Sequence, residues 1–155
     1  MTTVHRAGPL FTDLYELTMA ASYHAHQTFT PATFSLFIRP FRTRRNFYVA
    51  AGLDQVLDEL ASFRFSAQDI NYLQTTKRFS ADFLAYLTQL GFSGQVFAMP
   101  EGTIFFADEP VMEVTAPIIE AQLLETFLLN TIGFQTMIAS KAARCFHAAA
   151  GRPLI

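Results

Sequence analysis

The strand-forming segments of this sequence fall into two groups, and a run of helices separates them. The predicted strands are residues 33–39, 47–51, 95–99, 103–107 and 110–115. In the first of them Phe34, Leu36 and Ile38 alternate with the other residues and share one face, which predicts a half-buried strand. The predicted helices begin near Leu14, at Leu53, after the capping residues Ser66 and Ser80, and at Pro117, the last continuing to about Ala150. Gly91 is predicted to end the helix that Ser80 caps, and Gly133 is the weak point of the last helix. Strands grouped in this way favour an α+β layer over a doubly wound parallel sheet.

Composition limits the class of protein. With 155 residues, 51% of them hydrophobic and 15% charged, the chain can bury a core, and we expect one domain. A net charge of -2 argues against nucleic acid or an anionic membrane as a partner. Cys145 is the only cysteine, which excludes an internal disulfide. We expect a cytosolic protein, since residues 1–10 lack a signal-like run and the apolar stretch 116–139 is interrupted by polar residues.

The segment 10–19, LFTDLYELTM, predicts the start of the first helix. Thr12 or Asp13 can cap the free backbone amides, and Glu16 can reach back to complete a capping box. The first helix is therefore predicted to begin near Leu14.

Tyr15 is an aromatic residue outside the apolar stripe of that helix. Leu14, Leu17 and Ala21 recur at helical spacing and predict a buried face, whereas Tyr15 falls in the first turn on a different face. We interpret Tyr15 as a residue that can point at a ligand.

The dense cation cluster of the sequence follows the first strand. It comprises Arg39, Arg42, Arg44 and Arg45. Guanidinium groups suit phosphate oxygens, but a run of surface charge is more often only a solvated loop. Arg39 ends the strand on a face that could look back toward Tyr15, so it is the best candidate for an anion contact.

Other polar residues are interpreted structurally. His24 and His26 diverge by about 200° on a helix and are read as exposed residues rather than a metal pair. Cys145 is read as a packed thiol without a catalytic base in His147. The remaining residues are assigned to a turn (Glu101, Gly102 and Thr103), to unpaired positions on a helix (Glu120 and Glu125) and to a polar stripe (Lys141 and Arg144). No metal site is predicted.

The end of the sequence predicts a helix terminus followed by an extended apolar segment. Residues 148–151 resemble a glycine-capped helix end, and 152–155 resemble the start of a strand. We therefore expect a truncated chain, with an N-terminal domain at 1–116 and the start of a second domain at 117–155.

Five blocks of sequence, in order, resemble the N-terminal part of nicotinate phosphoribosyltransferase. They are LFTDLYELTM at 10–19, FSLFIRP at 34–40, FYVAAGLDQVLDEL at 47–60, PEGTIFFADEPVMEVTAPIIEAQLLETFLLN at 100–130 and QTMIASKAAR at 135–144. The resemblance implies the N-terminal α/β layer of a type II phosphoribosyltransferase, followed by the first helix of an α/β barrel that is absent here.

The resemblance also implies an activity for the whole enzyme. Members of this family condense nicotinate with phosphoribosyl pyrophosphate to form nicotinate mononucleotide and pyrophosphate, an entry step of NAD salvage. ATP hydrolysis is coupled through a phosphorylated histidine of the barrel, so neither His5, His24, His26 nor His147 takes that role. For the full-length enzyme we expect Mg²⁺, ATP, a cytoplasmic location and a homodimer that places the N-terminal layer over the partner's barrel.

Two residue roles carry over by resemblance. Tyr15 matches the tyrosine that stacks on the pyridine ring across the dimer interface, and Arg39 matches an arginine near the phosphates of the ribosyl donor. The roles of Arg42, Arg44 and Arg45 stay open, because their loop departs from the glycine-richer form of the family.

No catalytic residue is assigned within the chain, which alone should be inactive. A face of the helix predicted from Pro117 should also be left exposed, and this would limit solubility. The alternatives are part of a nicotinamide or quinolinate phosphoribosyltransferase, or a non-catalytic dimerisation or binding layer.

Overall fold

The computed structural model describes residues 8–40 and 46–153, and its helices pack against antiparallel sheets. In chain order the elements are α1 (Leu14–Ala25), β1 (Pro31–Phe37), β2 (Tyr48–Val49), α2 (Leu53–Ala61), α3 (Ala67–Thr75), α4 (Ala81–Gln89), β3 (Gln95–Ala98), β4 (Ile104–Phe105), β5 (Pro110–Pro117), α5 (Ile118–Leu123) and α6 (Glu125–Ala149). The predicted order and the α+β class are confirmed, except that the last predicted helix is divided into two helices, α5 and α6.

The larger sheet has β5 in the middle, with β1 and β3 antiparallel on either side. Phe34 and Leu36 of β1 are partly buried, whereas Thr33 and Ser35 are exposed, which confirms the predicted alternation. The strand ends at Phe37, before the predicted residue 39, and the pairing register shifts between Leu36 and Phe37, which lies opposite Pro110.

The smaller sheet pairs β2 with β4, and side chains of α6 complete its other edge. Arg144 donates to the carbonyl of Phe47, and Ser140 Oγ accepts from the N–H of Val49 at 2.8 Å. Thr136 Oγ1 lies 3.3 Å from both the nitrogen and the oxygen of Ala51. The three helix residues are four positions apart, a rise of about 6 Å, and their backbone partners are two positions apart, about 6.6 Å of strand. Because these spacings match, successive turns of α6 can bind alternate residues along the strand edge.

Helices α3 and α4, which lie between the two groups of strands in the chain, are capped as predicted. Ser66 accepts a hydrogen bond from Asp69 N and Ser80 from Phe83 N, each at 3.2 Å. Gly91 was predicted to end α4, but the helix ends at Gln89 with an extended cap. The bare backbone of Gly91 instead makes room for Arg64, whose Nη1 would lie 1.3 Å from a Cβ built there.

The buried face of α1 differs from the predicted one. Leu17 is 5% exposed as expected, but Leu14 is 49% exposed, and the core side is formed with Glu16 and Ala20. The helix is rotated because the carboxylate of Glu16 is bound by α6. The predicted stripe was therefore wrong at Leu14.

The prediction of one continuous helix from Pro117 was wrong. The chain breaks at Leu124, where the backbone N–H bonds to Ala121 O at 3.4 Å and the next helix begins. The break is possible because Glu16 supplies an acceptor for the first turn of α6. Gly133, the expected weak point, lies inside α6 without interrupting it.

Large apolar side chains of α6 are exposed on one side. Phe134 is 67%, Ile138 56% and Phe146 75% exposed. This confirms the predicted open face. Within the described residues, no helix is both long enough and apolar enough to cross a bilayer.

Candidate functional site

Tyr15 lies in the first turn of α1 and is 47% exposed, so it stays outside the core as predicted. Asp13 is the N-cap residue and Glu16 completes the capping box, with Asp13 N 3.4 Å from Glu16 Oε2. Thr12 adds a short hydrogen bond from its hydroxyl to the same oxygen. The cap fixes the turn that presents the Tyr15 ring at the surface.

Glu16 is fully buried and links this turn to the start of α6. Its Oε1 accepts from the backbone N–H of Thr126 at 3.0 Å and lies 2.7 Å from the Thr126 hydroxyl. That hydroxyl is also 3.0 Å from Asp13 Oδ2. The capping pattern predicted one role for Glu16, but the contact 110 residues away in the chain has no local signal in the sequence.

Glu125 is the carboxylate beside the Tyr15 hydroxyl. Burial of the phenol, the hydrogen bond it donates to Glu125, and the negative charges of Glu125 and Glu16 raise the pKa of Tyr15 above its ordinary value. The hydroxyl therefore remains a neutral donor at physiological pH. Glu125 is held from its other side by Gln122 Nε2 at 3.0 Å.

A small cleft of about 160 Å³ has Glu125 in its wall. Phe34 and Leu36 of β1, Val114 of β5 and Leu129 of α6 supply apolar walls. Sites that enclose a small molecule usually have about 300–1,000 Å³. The cleft and the Tyr15 ring can therefore form one wall of a site but cannot enclose a ligand.

Arg39 lies just beyond β1 and is exposed. Leu36 lines the cleft, and Arg39 follows three residues later, which corresponds to about 10 Å of extended chain. No hydrogen bond between described residues joins Arg39 to Tyr15, so its phosphate role stays a prediction. Arg42, Arg44 and Arg45 lie outside the described residues.

The two histidines of α1 differ from each other. His24 was predicted to be exposed, but the centre of its ring lies 4.8 Å from that of Tyr86 and 5.7 Å from that of Phe83. That prediction was therefore wrong. His26 is exposed, with its Nδ1 2.8 Å from Ser22 O. In ranges 8–40 and 46–153, no group of three or more acidic, histidine or cysteine side chains could hold a metal ion.

Several charged residues have structural partners. Arg144, predicted to belong to a polar stripe, lies 4.5 Å from the centre of the Phe47 ring and donates to backbone carbonyls, whereas Lys141 is exposed. Glu101 is in a turn as predicted, and its carboxylate also accepts from Gly52 N at 2.7 Å. Glu120 is buried and accepts from Ser93 N at 2.7 Å.

Glu120 and Glu125 lie on different helices, α5 and α6, and their carboxylates bind different partners, Ser93 and Gln122. Cys145 is partly buried and His147 is exposed. These residues do not add a second candidate site.

Solved structures define the class of the fold. The chain matches the crystal structure of human nicotinic acid phosphoribosyltransferase with a TM-score of 0.80 and 33% identity, over 92% of this chain and 29% of that one. It also matches nicotinate-nucleotide pyrophosphorylase from Pyrococcus furiosus with a TM-score of 0.57 at 19% identity, over 85% of this chain and 28% of that one. The second likeness concerns the fold alone. The fold is thus one found within phosphoribosyltransferases.

Sequence comparison gives the family. A sequence model described as the nicotinate phosphoribosyltransferase N-terminal domain matches residues 10–133. A nicotinate phosphoribosyltransferase of Mycobacterium tuberculosis is 49% identical over 96% of this chain and 32% of its own length. One from Bacillus subtilis is 43% identical over 87% of this chain and 28% of its own. The chain belongs to the nicotinate phosphoribosyltransferase family and spans about a third of the length of these relatives.

Proposed function

We propose that this chain supplies the N-terminal domain of an enzyme that joins nicotinate to phosphoribosyl pyrophosphate. The observation that carries the proposal is the family match, since relatives named for this activity align over nearly all of the chain. The products are nicotinate mononucleotide and pyrophosphate, as in NAD salvage. The remaining two-thirds of the enzyme, an α/β barrel, holds the catalytic residues.

The chemistry gives Tyr15 a defined role. The bond between the ribose anomeric carbon and the pyrophosphate oxygen breaks, and the pyridine nitrogen forms a new bond to that carbon. The reacting carbon passes through a cationic state, so the nucleophilic nitrogen must be held in line with it. Tyr15 stacks on the pyridine ring and orients it, and the exposure of its ring leaves a face free for this contact.

The acidic groups beside Tyr15 suit this role. Glu125 and Glu16 place negative charge beside the ring, and this charge favours a pyridine that becomes a pyridinium in the product. The same charge repels the nicotinate carboxylate, which must therefore point away from Glu125. Arg39 is proposed to contact the phosphates of the ribosyl donor, because an arginine fork matches their oxygens.

Further parts of the proposal concern the assembled enzyme. It is a cytoplasmic homodimer in which the Tyr15 of one subunit completes the site of the other, with coupled ATP hydrolysis. Mg²⁺ and ATP are part of this proposal for the full-length enzyme, where they are assigned to the barrel. The roles of Tyr15 and Arg39 do not depend on them.

The direct test is product formation. Residues 1–155 joined to the barrel part of a relative should form nicotinate mononucleotide and release pyrophosphate from nicotinate and phosphoribosyl pyrophosphate. The 155-residue chain alone should form none. Turnover by the chain alone, or an assembled enzyme that prefers nicotinamide or quinolinate, would contradict the proposal.

A further inference from the structure

A buried carboxylate joins the starts of two helices next to Tyr15. Glu16 accepts hydrogen bonds from the N–H of Asp13, the N-cap of α1, and from the N–H of Thr126 in the first turn of α6. It is fully buried, with the Thr126 hydroxyl 2.7 Å from the same oxygen. Backbone N–H groups at helix starts carry partial positive charge, so a single carboxylate stabilises both ends.

The same contact brings the residues that precede these two partners close together. Tyr15 precedes Glu16 and Glu125 precedes Thr126, so the hydrogen bonds between Glu16 and Thr126 place Tyr15 near Glu125. A shift between the helices at the Glu16–Thr126 contact would therefore move the Tyr15 ring relative to Glu125. The ring is about half exposed, and a freely rotating ring would lose entropy when a ligand binds.

We propose that Glu16 is a positioning residue for Tyr15, acting through Thr126 by locking the first turn of α1 onto the first turn of α6. This rests on the proposed function, in which Tyr15 stacks on the pyridine ring of nicotinate. Glu16 itself does not contact the substrate. Its buried contact presents the Tyr15 ring at one angle, so that the pyridine nitrogen is aligned with the ribose carbon.

The contact can be weakened without removing the aromatic ring. Thr126→Val keeps the side-chain shape but removes the hydroxyl shared by Glu16 and Asp13, and Thr126→Ser restores a hydroxyl. Thr136→Val is the matched control, because Thr136 is a fully buried threonine of the same helix whose hydroxyl contacts Ala51 instead. The experiment uses a full-length protein that begins with residues 1–155 of this sequence and measures KM and kcat for nicotinate.

Thr126→Val should raise the KM for nicotinate about fivefold with a smaller change in kcat. Thr126→Ser should restore it, and Thr136→Val should lower the melting temperature without raising the KM. In a Tyr15→Ala background, Thr126→Val should cause no further rise. Glu16→Gln provides a second variant of the same contact and should also raise the KM only when Tyr15 is present.

Different results overturn different parts. If Thr126→Val and Glu16→Gln lower the melting temperature but leave the KM unchanged, or raise it equally with and without Tyr15, the contact is only structural and the positioning role is wrong. If Tyr15→Ala itself leaves the KM for nicotinate unchanged, the stacking role under the proposed function is overturned as well.

Discussion

Polar contacts hold α6 at two places, and what lies beside them differs. Near its start, Thr126 binds Glu16, and the neighbouring Tyr15 is half-exposed. From its middle onward, Thr136, Ser140 and Arg144 bind the edge of β2, where Tyr48 is buried. Both contacts satisfy backbone groups that would otherwise be unpaired. The first, the Glu16–Thr126 junction, adjoins the half-exposed Tyr15 ring that is proposed to contact nicotinate.

The largest expected loss of stability follows Glu16→Ala. The substitution leaves the buried N–H and hydroxyl of Thr126 without their carboxylate, and hydrogen bonds to charged groups are worth about 1.5–3 kcal/mol each. We expect the free energy of unfolding to fall by about 3 kcal/mol, measured by urea denaturation of the chain. Glu113→Ala, at an exposed glutamate, is the control. If Glu16→Ala loses no more unfolding free energy than this control, the Glu16–Thr126 junction stabilises the fold no more than a surface contact does.

A smaller effect is expected at the edge of β2. Ser140→Ala removes the acceptor for Val49 N, at a cost of about 1–2 kcal/mol. The amide hydrogen of Val49 should then exchange faster, while that of Ala50, which bonds to Thr103 O at 2.9 Å, should change less. Equal acceleration at both residues would mean that α6 does not act as a partner strand for β2.

The smallest expected effect is on how stability depends on pH, and it concerns only the region beside Tyr15. Because the pKa of Tyr15 is raised above its ordinary value of 10.0, the folded state holds this proton more tightly than the unfolded state does. The resulting stability is complete below pH 10 and is lost as the pH rises above it. Tyr15→Phe should therefore lose less stability than the unsubstituted chain between about pH 9.5 and 11. If stability falls equally with pH in the two proteins, as measured by denaturant unfolding, the pKa of Tyr15 is not raised in the folded state.

The same comparison explains which features the sequence could predict. Caps at Ser66 and Ser80 and the alternation of Phe34 and Leu36 depend on neighbours in the chain, and these predictions were confirmed. The exposure of Leu14 and the break at Leu124 depend on Glu16 meeting Thr126. No local pattern encodes that meeting.

The candidate site follows the same rule. Tyr15 could be singled out because a first-turn aromatic off the apolar stripe is visible in the sequence. Glu125 could not, because its closeness to Tyr15 requires α6 to begin beside α1. Arg144 was missed for a similar reason, since its partner Phe47 lies 97 residues earlier in the chain.

The central claim is that Tyr15 serves a ligand rather than the core. The measurement that tests it most directly is the KM for nicotinate of Tyr15→Ala in the full-length protein, with the melting temperature recorded on the same sample. Loss of one aromatic stack is worth about 1–3 kcal/mol, so the KM should rise about tenfold or more with little change in melting temperature. A large fall in melting temperature with an unchanged KM would contradict the claim and return Tyr15 to a packing role.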